Sequence, residues 1–235
     1  MEIETAELTL HARVDAIPAP ALLAHHAVFA STPSLYRWAK RGLDVAVSVV
    51  TLTLALPLFL VIAAVVRLTS QGPALFRQSR IGRDGQEFKV LKFRSMCRDA
   101  EARLKDGGLY DTYVATGYKL PVAAEFRVTR VGRFLRRTSL DELLQLLNVL
   151  GGSMSLVGPR PVVPSELASY GDLVHCYLGV RPGITGMWQV NGRSHVRFPE
   201  RAHFDRDYFY GRSLGLDVAI LARTPLAVLR VNVAY

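Results

Sequence analysis

From Val45 to Val66 the chain runs for 22 residues without a formal charge, VAVSVVTLTLALPLFLVIAAVV. A run this long and this apolar is either buried on every side or handed to lipid, and about 20 residues suffice to cross a hydrocarbon core. Lys40, Arg41 and Asp44 precede it and Arg67 follows. Pro57, just past the middle, cannot donate a backbone hydrogen bond, so a kink is expected there. Basic residues at both ends and a basic remainder favour the cytoplasmic side. A helix that enters the membrane, bends at Pro57 and returns satisfies these signals. A single crossing with the N-terminal tail outside is the other arrangement.

Composition narrows the partners. Half of the 235 residues are hydrophobic, yet the formal net charge is +9. Between Arg67 and Arg137 sixteen Lys/Arg face seven Asp/Glu, an excess of nine that equals the charge of the whole chain. Such a block suits nucleic acid, an anionic lipid surface or a phosphorylated substrate. Cys97 and Cys176 have no metal-ligand spacing and read as two thiols in a reducing compartment. Residues 1–33 show no clear periodicity and no secretory-signal pattern. The His25-His26 pair there is given no function.

The candidate chemistry is concentrated in GRFLRRTSLDELLQLLNVLGGSMSLVGPRP, Gly132 to Pro161. Ser139 and Glu142 have capping-box spacing, which predicts a helix starting near Leu140 with Asp141 in its first turn. Leu140, Leu143, Leu144 and Leu147 would face a core. An Asp-Glu pair in a first turn is ordinarily no more than a cap. Here Arg133, Arg136 and Arg137 precede it and Arg160 is held between Pro159 and Pro161, a cluster a cap does not need. Guanidinium groups grip phosphate oxygens bidentately, so the stretch reads as a phosphate-handling site.

Around it, 74–78 and 87–91 are expected to pair as strands through the Asp84-Gly85 turn. Lys92 and Arg94 follow. Residues 99–125 read as a short helix and a loop, and Gly151-Gly152 as a helix end. Arg181 to Arg193 is glycine-rich; its glycines suit either tight turns or a close approach to ligand, and Trp188 is expected in a core. His195, His203 and Asp205 form no recognised metal spacing. Leu214 to Leu229, interrupted by Pro225, reads as an interfacial or core helix pair.

Four segments, KRGLDVAVSVV (from Lys40), KFRSM (from Lys92), RVTRVGRFLRRTSLDELLQLLNVLGGSMSLVGPRP (from Arg127) and RPGITGMWQVNGR (from Arg181), resemble the bacterial sugar transferases. These are the monotopic phosphoglycosyl transferases that begin polyprenol-linked glycans, and the likeness runs from about Tyr36 to the C-terminus. It implies an α/β, helix-dominated monotopic membrane domain with a small sheet, a re-entrant N-terminal helix and interfacial amphipathic helices. The expected divisions are a tail (1–35), a membrane-inserted helix (36–69) and a catalytic domain (70–235) on the cytoplasmic face of the bacterial inner membrane.

The implied reaction moves a sugar-1-phosphate, for this short type a hexose-1-phosphate, from a UDP-sugar to undecaprenyl phosphate in exopolysaccharide assembly. By motif position Asp141 is the nucleophile of a covalent aspartyl-phosphosugar intermediate and Glu142 a ligand of Mg²⁺. Arg136, Arg137 and Arg160, with Lys92 and Arg94 behind them, are expected to bind phosphate. Two positions depart from the common pattern: Leu56, where serine often precedes the proline, and Leu144, where proline is frequent. The inner-membrane lipid is the expected partner and nucleic acid is not. The competing class is a non-catalytic, membrane-anchored basic module that binds anionic lipid or nucleic acid. It accounts for charge and anchor but not for the acidic pair among arginines.

Overall fold

The computed structural model describes residues 33–115, 120, 125–192 and 196–229. His25-His26 and His195 lie outside them. The apolar run lies within one helix, α1 (Ser34–Thr69), which continues through Pro57. Its buried residues Asp44, Ser48, Phe59, Ile62 and Val66 fall on one helical stripe, extended by Leu52, Ala55 and Ala63. Val49, Val50, Leu54, Leu56, Leu58, Leu60, Val61 and Val65 are exposed. One side of α1 is therefore packed on protein and the other is an uncovered apolar surface. An 18-residue window within it has a mean hydropathy of 2.8, enough by length and composition to cross a membrane.

Next comes a hairpin of β1 (Leu75–Ile81) and β2 (Glu87–Phe93), antiparallel and turned at Arg83–Gly85, where Asp84 takes φ 59°. The expected strand pair is present, and each strand is longer than its pattern suggested. Its register sets Phe76 opposite Lys92, Gln78 opposite Val90 and Arg80 opposite Phe88, so these six share one face. Two short helices follow, α2 (Ala100–Asp106) and α3 (Tyr110–Ala115), then α4 (Arg130–Thr138), capped by the Thr129 hydroxyl on the Gly132 N–H.

The expected capping box is replaced by a tighter joint. Ser139 takes a left-handed φ of 56° and ends α4, and its side chain caps nothing. Leu140–Glu142 then form a single 3₁₀ turn, and α5 starts only at Gln145 and ends at Leu150. Leu144 is buried and Leu140 and Leu143 pack on the α1 cluster, whereas Leu147 is 45% exposed. Leu144 has φ −63°, an angle proline also adopts, so leucine here changes packing rather than the backbone path.

A second sheet pairs β3 (Ser155–Val157) in parallel with β4 (Gly183–Thr185). Between them lie α6 (Pro164–Leu167), a 3₁₀ segment and α7 (Val174–Leu178). A Cβ on Gly183 would stand 2.1 Å from the Gly158 nitrogen. This glycine of the RPGITG segment therefore permits a close approach of backbone to backbone. The chain closes with α8 (Met187–Asn191), α9 (Glu200–Gly211) and α10 (Leu214–Leu229). The expected pair over 214–229 is one helix containing Pro225.

Both ends of α1 are tied to the domain by polar groups. Arg41 donates to the Val149 and Leu150 carbonyls at 2.6 and 2.7 Å, capping the end of α5. Asp44 accepts from the Ser155 hydroxyl at 3.1 Å and the Leu156 N–H at 3.0 Å. Lys40, Tyr36 and Tyr208 converge on the fully buried Asp217 at 3.1, 3.1 and 2.8 Å. At the far end, Phe59, Ile62 and Val66 pack with Phe93, Leu135 and Leu144.

Candidate active site

Residues from three segments meet beside the hairpin. Lys92 extends from β2, Asp141 and Glu142 from the 3₁₀ turn, and Arg160 from the Pro159–Pro161 strut. The left-handed Ser139 and the short turn after it point the acidic pair back at β2. Lys92 Nζ donates to Glu142 Oε1 at 2.6 Å, and Arg160 Nη2 reaches the same oxygen at 3.1 Å. Arg160 Nη1 approaches Oε2 at 3.5 Å. Glu142 is thus gripped by two cations at once.

The adjacent carboxyls sit in opposed environments. Asp141 is 7% exposed, and burial, then the charge of Glu142, push its carboxyl up to about 6 against the pull of Lys92, Arg136 and Arg160. Burial acts on Glu142 in the same sense, but Arg160 and Lys92 outweigh it and hold that carboxyl well below the usual range. Burial also pushes the Lys92 ammonium down, with Glu142 opposing. Two acids one residue apart with pKa values driven in opposite directions are the signature of a divided role.

The remaining expected phosphate ligands separate. Arg136 stays close, its charge reaching Asp141 and its Nε donating to the Ser95 hydroxyl at 2.9 Å. Arg137 is exposed on the last turn of α4. Arg94 is engaged elsewhere. Its guanidinium donates to the Val66 and Ser70 carbonyls at 3.3 and 2.8 Å, to the Ser70 hydroxyl at 2.8 Å and to the Gln71 carbonyl, so it caps α1. Trp188 is buried, as its expected core role requires, with the Arg201 guanidinium 4.5 Å from its ring centre.

Arg80 was not singled out by sequence and is part of the site. It lines a small hollow together with Lys92, Gln145 and Arg160. A signal was available: strand alternation from Arg80 through Gln78 to Phe76 leads to the position opposite Lys92.

No group of three or more His, Cys, Asp or Glu side chains able to hold a metal is found among the described residues. The donor set nonetheless suits Mg²⁺, which usually takes one or two carboxylates and draws its other ligands from phosphate and water. Glu142 Oε2 is the less committed oxygen, with its cation at 3.5 Å, and could supply one such ligand.

A largely buried acidic pair thus lies among Lys92, Arg136 and Arg160, in a domain packed on a helix with an uncovered apolar side. The Bacterial sugar transferase family model matches residues 35–231, and the chain belongs to that family. It is 43% identical over 201 residues to an undecaprenyl-phosphate galactose phosphotransferase of Salmonella typhimurium, covering 85% of this chain and 42% of that protein. It is likewise 43% identical over 195 residues to the exopolysaccharide production protein ExoY of Rhizobium meliloti, covering 81% and 85%. A UDP-glucose:undecaprenyl-phosphate glucose-1-phosphate transferase of Xanthomonas campestris is 42% identical over 205 residues, 84% of this chain and 40% of its own. The chain therefore spans about two fifths of the Salmonella and Xanthomonas relatives and most of ExoY.

Proposed function

We propose that this protein transfers a hexose-1-phosphate from a UDP-sugar to undecaprenyl phosphate, releasing uridine monophosphate, through a covalent intermediate on Asp141. The observation that carries the reading is the divided acidic pair: Glu142 is locked ionised by Lys92 and Arg160, while Asp141 is buried beside it with few fixed partners. The printed names of the relatives support the donor and acceptor classes. A non-catalytic basic module needs no such division.

In the first step an Asp141 oxygen bonds to the sugar-bearing phosphorus, and the bond to the bridging oxygen breaks with its electron pair leaving on the nucleotide. In the second, an oxygen of the lipid phosphate attacks the same phosphorus and the Asp141 carboxylate is released. Arg136 and Arg160 face the transferred group, and Lys92 keeps Glu142 fixed and charged. Bound Mg²⁺, held by Glu142 and the diphosphate, would neutralise charge on the leaving group.

The packed stripe of α1 supports a monotopic arrangement at the inner membrane, with the domain on the cytoplasmic face. A full crossing would carry Lys40, Arg41 or Arg94, all bonded to the segment or its neighbours, toward the bilayer interior. Re-entry at Pro57 leaves both polar anchors on one side. The exposed faces of α1 and α10 would then meet lipid.

The reaction is tested by nucleotide release from the full chain in nanodiscs with Mg²⁺, undecaprenyl phosphate and a panel of UDP-sugars. Repeated turnover that needs the lipid, with no more than about one equivalent released without it, and loss of both in Asp141→Asn are expected. Unimpaired turnover by Asp141→Asn would exclude the covalent route.

A further inference from the structure

Of the two expected phosphate ligands on α4, Arg137 is exposed and Arg136 stays beside the acidic turn. The transfer steps do not explain what keeps it there. Ser95, two residues past the end of β2, is buried and meets α4 at three positions. The N–H of Thr129, the cap of that helix, donates to the Ser95 carbonyl at 3.0 Å. A Cβ on Gly132 would stand 1.9 Å from the same carbonyl oxygen and 2.7 Å from the Ser95 Cα. No side chain fits at 132 while the helix keeps its place. One turn further on, Arg136 Nε donates to the Ser95 hydroxyl at 2.9 Å. Positions 129, 132 and 136 share one helical stripe, so two turns of α4 are seated on one residue.

The seat is itself fixed. The Arg94 N–H donates to the Ala74 carbonyl at 2.8 Å, and the Cys97 N–H to the Arg127 carbonyl at 2.8 Å. Ser95 is therefore tied to the hairpin on one side and to the strand-like entry of α4 on the other. Its bond to Nε also sets the plane of the Arg136 guanidinium. Nη1 and Nη2 then have no partner among the described residues. They form the edge that meets two phosphate oxygens at once. An arginine held in this way loses little further freedom when an anion arrives.

We infer that Ser95 and Gly132 are positioning residues, which seat α4 so that Arg136 presents Nη1 and Nη2 to the phosphoryl group passing through Asp141. The assignment rests on the transfer reaction proposed above. The Arg136 carbonyl accepts from the Ser139 N–H at 3.2 Å, so the same seat sets the start of the turn that carries Asp141. Transfer of a phosphoryl group depends on placement of the charges around it, and a shift of about 1 Å can cost about 10²-fold in rate. Ser95 touches neither substrate nor nucleophile in this scheme and acts through Arg136 alone.

The test is a double-mutant cycle on the full chain in nanodiscs, with turnover of UDP-sugar and melting temperature followed in parallel. It compares the natural chain, Ser95→Ala, Arg136→Lys and the two combined. Ser95→Ala should lower kcat about 10–100-fold and leave KM for the UDP-sugar within about twofold. Ser95→Thr keeps the hydroxyl and should recover most of that loss. With Arg136→Lys, which has no Nε, the same alanine should cost less than about twofold more. Gly132→Ala should lower kcat at least as far as Ser95→Ala. An equal loss with arginine or lysine at 136 would give Ser95 a merely structural role and overturn the assignment. A loss confined to KM would overturn it too. If Gly132→Ala fails to fold, the cycle on Ser95 decides without it. Absence of transfer by the natural chain from every UDP-sugar would overturn the reaction and the role together, while coupled melting temperatures at 95 and 136 would leave the seat of Arg136 standing.

Discussion

Asp141 and Glu142 are consecutive, both carboxylic, and have opposite effects on stability. The Asp141 pKa rises from 3.8 to about 6 on folding, so the native state holds its proton longer than the unfolded chain. Stability is intact below about pH 4, falls as pH climbs through that window, and the loss is complete above about 6. Asp141→Asn should therefore match the natural protein at pH 4 and exceed it by about 1–3 kcal/mol at pH 7.5. It should also lose at least about 10³-fold in rate, as expected for a missing nucleophile. Equal pH profiles of melting temperature for the two would refute the buried setting of Asp141. In the natural protein kcat/KM should fall about tenfold per pH unit below about 6, where the free carboxylate disappears. Glu142→Gln reverses the stability sign. It removes the carboxylate that Lys92, whose side chain is 15% exposed, shares with Arg160, a cost of about 1–3 kcal/mol. A variant pair that is inactive on both sides, with one more stable and one less, would confirm that the division is built into the fold.

At the scale of elements, the joint between α1 and the hairpin gives Arg94 its role. Its donors satisfy carbonyls at the end of α1, where the last turn leaves acceptors without intrahelical partners. Arg94→Ala should lower stability by about 1–3 kcal/mol while leaving KM for the UDP-sugar within about twofold. A large rise in that KM at unchanged stability would return Arg94 to the phosphate site. KFRSM carried two cations, and from sequence both looked alike. What separates them is the end of β2: Lys92 lies in register opposite Phe76, whereas Arg94 has passed the strand and meets α1. Much else was legible because it is local, such as the apolar run, the hairpin about Asp84-Gly85 and the arginines near the acidic pair. The Ser139–Glu142 motif misled because two ion pairs outcompete a capping bond for the glutamate, which turns to Lys92 and Arg160 instead. Arg80 was missed because its value depends on which strand face it shares with Lys92, a matter of register.

For the whole molecule, the arrangement of α1 bears on how the protein meets a bilayer. A transmembrane helix presents apolar side chains to lipid all round, and its ends lie on opposite sides. In α1 the stripe from Asp44 to Val66 is occupied by the domain, and both ends carry polar anchors to it. Detaching that stripe would expose the buried Asp44 and Asp217 and empty the contacts of Phe59, Ile62 and Val66. A fully detached phenylalanine contact alone is worth about 3 kcal/mol. The proposed monotopic arrangement keeps these contacts, whereas a crossing would have to recover all of these losses from lipid. Single cysteines at Leu35 and Ser70, in a protein lacking Cys97 and Cys176, bracket the helix and report its topology in cells. Both should resist an impermeant thiol reagent applied from the periplasm and react once the inner membrane is opened. Periplasmic labelling at Leu35 alone would establish a single crossing. It would also mean that the anchors from Tyr36, Lys40, Arg41 and Asp44 to the domain are broken in the membrane, so that mutating Asp217 would cost only its bond from Tyr208. If both sites are protected, Asp217→Ala should destabilise the protein further, since it removes an acceptor shared by Lys40 and two tyrosine hydroxyls.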